Sequence, residues 1–87
     1  MFGEIYMPIM TRFYFDFHDA TGILRDDAGE ELPSAIVALK EALETVGEAV
    51  KDLTYRHSEG RIAIEVRDSE GPILKVSAVI ETTNLKE

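Results

Sequence analysis

The chain has no cysteine. That absence removes disulfides, thiolate zinc sites and any thiol nucleophile or redox role together. Basic residues are scarce as well: nine Lys and Arg stand against seventeen Asp and Glu, giving a formal charge of −8 and a pI near 4.6. They are Arg12, Arg25, Lys40, Lys51, Arg56, Arg61, Arg67, Lys75 and Lys86, and no two are adjacent. Clustered Lys and Arg supply most of the non-specific affinity for nucleic acid, so no nucleic-acid partner is expected. Anionic membrane surfaces are disfavoured on the same ground. A long apolar run is also missing. The opening MFGEIYMPIM contains Glu4, has no basic n-region and is too short to span a bilayer. Neither a signal peptide nor a membrane segment is expected, and the cytoplasm is the expected location.

What is present suits one small domain. Eighty-seven residues leave no room for a second core. A chain of this length buries roughly 60 to 65% of its unfolded surface, so its stability margin is thin. Hydrophobic residues make up 45% and charged residues 30%, an ordinary mixture for a globular protein. With Met7 and Met10 near the start, positions 1–9 read as an N-terminal extension, unordered or bound to a partner. Positions 10–82 read as a single domain and 83–87 as a frayed tail.

Hydrophobic periodicity supplies the elements. From Thr11 to His18, Phe13, Phe15 and Phe17 alternate with Arg12, Tyr14, Asp16 and His18, the pattern of a half-buried strand. Asp19-Ala20-Thr21-Gly22 is a turn, Ile23-Leu24-Arg25 a short returning strand, and Asp26-Asp27-Ala28-Gly29 a second turn. Pro33-Ser34 opens a helix of about twenty residues with Ser34 as N-cap. Ile36, Leu39, Leu43, Val46, Val50 and Leu53 follow at alternating spacings of 3 and 4, one stripe expected to face the core. Gly47 interrupts that helix, either where another element comes close or as a tolerated surface residue. His57 follows near the helix C-terminus, where a cation is favoured. Two further strands, about Arg61–Asp68 and Ile73–Glu81, flank the turn Asp68-Ser69-Glu70-Gly71, with Pro72 opening the second. The expected fold is α+β: a two-layer β-β-α-β-β domain, with a mostly antiparallel sheet of about four strands under one long amphipathic helix.

Three stretches, MTRFYFDFHD, LRDDAGEELPS and RIAIEVRDSEGPILKV, resemble a domain-of-unknown-function family of short, uncharacterised bacterial proteins. Its members open Met-x-Arg-aromatic-aromatic-Phe and carry Arg-Asp-x-x-Gly-x-Glu-Leu-Pro before an amphipathic helix. They end in a hairpin with an Arg-x-Asp-x-x-Gly type turn, and their start usually corresponds to Met10. The resemblance covers roughly Met10 to Ile80 and contains no catalytic signature. It implies a fold and no activity.

Between Asp16 and Glu31, sixteen positions hold six carboxylates and one histidine. An EF-hand reading from Asp19 fails, because Ile23 and Leu24 occupy the fifth and sixth loop positions. A divalent ion held by Asp16, Asp19 and Asp26 is one candidate. Acid–base chemistry at His18, oriented by Asp16 or Asp19, is another. Neither comes with a nucleophile elbow, a Gly-rich phosphate loop or a His-Glu-x-x-His pattern. The simpler reading is structural: Asp19, Asp26 and Asp27 serve turns, and Glu30 and Glu31 lie near the positive end of the helix dipole. Asp16, His18, Asp19 and Asp26 are therefore a candidate polar cluster, with no catalytic residue, metal ligand or cofactor assigned.

The expected function is non-enzymatic: self-association as a homodimer, or association with another protein. Tyr14, Ile73 and Val79 on the polar sheet face are the candidate contact surface. A metal-dependent or acid–base enzyme using Asp16, His18 and Asp19 is one alternative. The other, an antitoxin-like or regulatory module, rests on fold-level analogy.

Overall fold

The computed structural model describes residues 9–53 and 60–86. Positions 1–8 of the expected extension, and His57, lie outside the described residues. The order is β1 (Thr11–Asp19), β2 (Gly22–Leu24), β3 (Glu30–Leu32), α1 (Ala35–Leu53), β4 (Gly60–Asp68) and β5 (Gly71–Ile80). The strands form one antiparallel sheet ordered β2-β1-β4-β5, with β3 also paired to β1. The α+β, two-layer expectation holds, with one strand more than the expected four.

The extra strand is β3. Glu30 and Glu31 are ladder residues rather than a lead into the helix, with Thr11 opposite Leu32, Arg12 opposite Glu31 and Phe13 opposite Glu30. Two glutamates in three positions are poor strand formers. The segment pairs because Leu32 is buried beside Phe13 in the core and Arg12 lies 3.9 Å from Glu31.

Both β2 and β3 lie along the same edge of β1. Phe17 faces Leu24 and Phe13 faces Glu30. Four positions thus separate the β1 residues while six separate their partners, so the returning chain carries two extra residues between β2 and β3. That excursion bulges away from β1 at Phe15. Gly29, at φ +71°, turns the chain back into β3.

Ser34 caps α1: its Oγ accepts the N–H of Val37 at 3.3 Å, and its C=O accepts that of Ala38 at 3.2 Å. The helix lies over β4 and β5 and meets β3 near its start. Its buried face differs from the expected stripe. Ala38, Ala42 and Val46 are the buried residues, with Val37, Ala49 and Val50 packed beside them. Ile36 is 68% exposed, Leu39 36% and Leu43 53%. The apolar arc is wider than one contact can cover, and its alanine side lets the helix seat closely on Ile62, Ile64 and Val66 of the central strand. Gly47 faces open space, with nothing within 4 Å of a Cβ placed there, so within the chain it is a tolerated surface glycine.

The strand faces divide much as the alternation predicts. Phe13 is buried, while Phe15 and Phe17 are half-buried and packed against the core. The hairpin from β4 to β5 carries a register shift. Val66 faces Leu74 and Arg67 faces Pro72, which leaves Ile73 as the extra residue of a bulge.

Among the described glycines, Gly29 is the one with no room for a side chain. A Cβ there would stand 2.9 Å from Arg12 Cγ, 2.9 Å from Tyr14 Cε1 and 3.0 Å from the Phe13 carbonyl oxygen. Gly29→Ala combines a left-handed backbone with these clashes and should cost about 2 kcal/mol. Urea unfolding with an unchanged midpoint would contradict this account of the turn.

Candidate functional site

The acidic stretch is resolved into two separate places. The first is centred on Asp16, whose side chain lies on the sheet face away from the helix yet is only 3% exposed as a residue. Arg67, on the neighbouring strand, donates from Nε to Asp16 Oδ2 at 2.7 Å and from Nη2 to Oδ1 at 3.4 Å. The same Nη2 donates to the Asp26 carbonyl at 2.8 Å. The Arg67 guanidinium lies 4.4 Å from the centre of the Tyr14 ring, so Tyr14 is a platform for the cation. Tyr14 is half-buried beneath that contact.

Asp26 completes this network from the excursion between β2 and β3. Its N–H donates to Asp16 Oδ1 at 2.9 Å. Its Oδ2 accepts the Phe15 N–H at 3.0 Å, at the point of β1 between the residues paired to β2 and β3. Its Oδ1 accepts the N–H groups of Ala28 and Gly29, both at 3.1 Å. One carboxylate thus replaces a missing strand and closes a turn. Arg12 holds the same excursion from its other end by donating to the Ala28 carbonyl at 2.9 Å.

Burial works to raise the pKa of Asp16, but the Arg67 hydrogen bond, the Asp26 N–H and the charges of Arg67 and Arg25 outweigh it. The net shift is downward. Asp26 behaves alike: burial raises it, three backbone N–H groups hold it down, and its pKa also falls. Both carboxylates are ionised at neutral pH, fully hydrogen-bonded, and occupied in holding the sheet.

The second place lies beside β1's C-terminal end. His18, Asp19, Ala20, Arg61, Ala63, Lys75 and Ser77 line a shallow hollow of about 220 Å³ on the open sheet face. Its floor is Ala63, a small residue opposite His18 on one side and Ser77 on the other. His18 Nε2 is shielded from solvent and has no hydrogen-bond partner. Asp19 is engaged in its own turn, accepting the Thr21 N–H at 2.8 Å and the Thr21 hydroxyl at 2.6 Å, and that hydroxyl bond leads the causes that lower its pKa. Structure therefore brings His18 and Asp19 to one hollow and ties Asp16 and Asp26 into another network. No cluster of three or more His, Asp or Glu suited to a metal ion occurs among the described residues. Arg67, Arg61 and Lys75 are the residues that sequence reasoning missed. The placement of Arg67 opposite Tyr14, and of Arg61 and Lys75 on either side of Ala63 and Ser77, depends on strand register, which periodicity alone does not give.

The family model for Domain of unknown function (DUF6894) matches residues 12–79. No curated protein and no solved structure matches the chain.

The Asp16 network makes stability acid-sensitive with a definite sign. Folded-state pKa values below the unfolded aspartate value of about 3.9 give stability that is complete above that value and lost as pH falls through the lowered pKa values. Asp16→Ala, which leaves Arg67 without its buried partner, should cost about 3 kcal/mol at neutral pH and flatten the acid limb. Denaturation curves between pH 7 and pH 2 measure both, and an unaltered acid limb in the variant would show that Asp16 does not carry the acid sensitivity.

Proposed function

The chain belongs to the DUF6894 family, a domain of unknown function, and from that premise we propose that it is a non-enzymatic association domain. The observation that carries this reading is the distribution of its side chains. Acids that could serve chemistry are spent on the fold, whereas large apolar residues stand in solvent. Asp16 and Asp26 are saturated by Arg67 and by backbone N–H groups. Ile36, Leu43, Ile73 and Val79 are exposed on the helix and on the edge strand. Large apolar side chains left in solvent, here on both the helix and the open sheet face, are surface that a protein partner can cover. The partner is a protein, either another copy of this chain or a neutral to basic chain suited to a charge of −8.

A second reading has its own observation, the hollow beside His18. Arg61, Lys75 and the Ser77 hydroxyl offer donors there, and a small oxyanion such as phosphate or a carboxylate matches that chemistry.

A nitrogen-15 NMR titration separates the readings. Mg²⁺, Mn²⁺, Ca²⁺ and Zn²⁺ should leave the amides of Phe15 to Asp27 in place. A saturable response centred on Asp16, His18 and Asp19 would overturn the non-enzymatic reading in favour of a metal site. Inorganic phosphate that shifts Ala63 and Ser77 with millimolar saturation supports the second reading, and a flat response removes it.

A further inference from the structure

We infer that two copies of the chain join through the β5 edge, forming a continuous sheet with a pair of antiparallel helices on one side. This deepens the association reading by naming the partner and the surface, and it rests on that reading.

The first observation is the edge itself. Among the described residues β5 pairs only with β4, so ten residues, Gly71–Ile80, present an unpaired backbone. Natural edges are protected by charges, prolines or bulges. Here Pro72 and the bulge at Ile73 sit at one end, and Lys75 is the only charged residue in the strand. No carboxylate interrupts it.

The second observation comes from the helix. At about 100° per residue, the exposed Leu39, Leu43 and Ile36 fall on one arc, roughly 90° around the axis from the buried Ala42, with the half-buried Val50 among them. Glu41 lies on the other flank, near Glu30 of β3, whose carboxyl leads the causes that raise the Glu41 pKa. Since β3 borders β1 at the far side of the sheet, the flank opposite Glu41 overhangs the free edge of β5. The exposed apolar stripe and the unpaired edge therefore face the same way.

The dimensions agree. Strands lie about 4.8 Å apart, so the dyad of an edge-to-edge pair falls about 2.4 Å from each β5. A helix seated over β4 and β5 is then about 5 Å from that dyad, and two such helices are about 10 Å apart, within the range for packed helices. A dyad at Val76 sets Ile73 of one copy against Val79 of the other, pairing the exposed apolar residues of the open face. A dyad near Leu43 sets Leu39 against the open space at Gly47, and Ile36 against Val50. A stable interface buries about 1,200 Å² in all, roughly 600 Å² per copy at its lower bound, and the ten-residue edge and the helix stripe are the surfaces that supply it.

Since the chain has no cysteine, one introduced thiol reports on one position. Leu43→Cys should oxidise to a covalent dimer, with Cα atoms close enough for a disulfide, while Ile23→Cys on the opposite edge should stay uncrosslinked. Sedimentation equilibrium should give twice the chain mass for the wild type, and one chain mass for Leu43→Asp with its circular dichroism retained. A dimer that survives Leu43→Asp but is lost in Ile23→Asp would overturn this surface and leave the association reading standing. A wild type that is monomeric up to about 1 mM would overturn this inference together with self-association as a function, leaving only a different protein as partner.

Discussion

The bidentate contact between Asp16 and Arg67 is the interaction on which the rest of the structure turns. It joins the two central strands on the face that the helix does not cover, where no apolar core could hold them. Arg67 also donates from Nη2 to the Asp26 carbonyl, and Asp26 returns a backbone N–H to Asp16. The ion pair, the cation over Tyr14 and the carboxylate that stands in for a strand at Phe15 form one connected unit. Networks of this kind are stabilising when every member is satisfied and costly when one is lost. In a chain whose hydrophobic core is small, such a network gives definition to a face that would otherwise be an unanchored ladder.

The two layers divide the work. Beneath the helix, alanines meet branched residues, and stability comes from close contact over a small area. On the open face, stability comes from charge and hydrogen bonding. The larger aliphatic residues of the helix lie outside both regimes, and their exposure is the clearest departure from what a solitary domain would need.

How much of the fold is legible in the sequence differs from element to element. The alternation of Phe13, Phe15 and Phe17, the Ser34 cap and the β4–β5 hairpin are readable, because each depends on neighbours within a few positions. The strand at Glu30–Leu32 is not, because its pairing is decided by Leu32 and Arg12 in three dimensions, against the propensity of its glutamates. The helix stripe has the period that the sequence predicts, but periodicity centres it on the larger residues, whereas contact distance selects Ala38 and Ala42. Asp26 is a turn residue, as its neighbours imply. Its second task, satisfying Phe15, needs the two extra residues of the excursion, and those appear only once the register on both sides is known. The separation of His18 from Asp16 follows from Arg67, fifty-one positions away from its partner.

That distance along the chain bears on the order of assembly. The helix and the β4–β5 hairpin close short loops, whereas β1 meets β4 across a separation of 51 positions at Asp16 and Arg67, and closing a loop of that length is entropically slower. The ion pair at the centre of the finished sheet is then a late lock rather than a nucleus. The kinetic signature is a φ-value near zero for Asp16 beside higher values in β4 and β5, and a φ-value near one at Asp16 would reverse the order. Until that last strand arrives, Phe13 and its neighbours wait in solvent, so the residence time of the unlocked state sets how long this small domain is vulnerable to proteolysis.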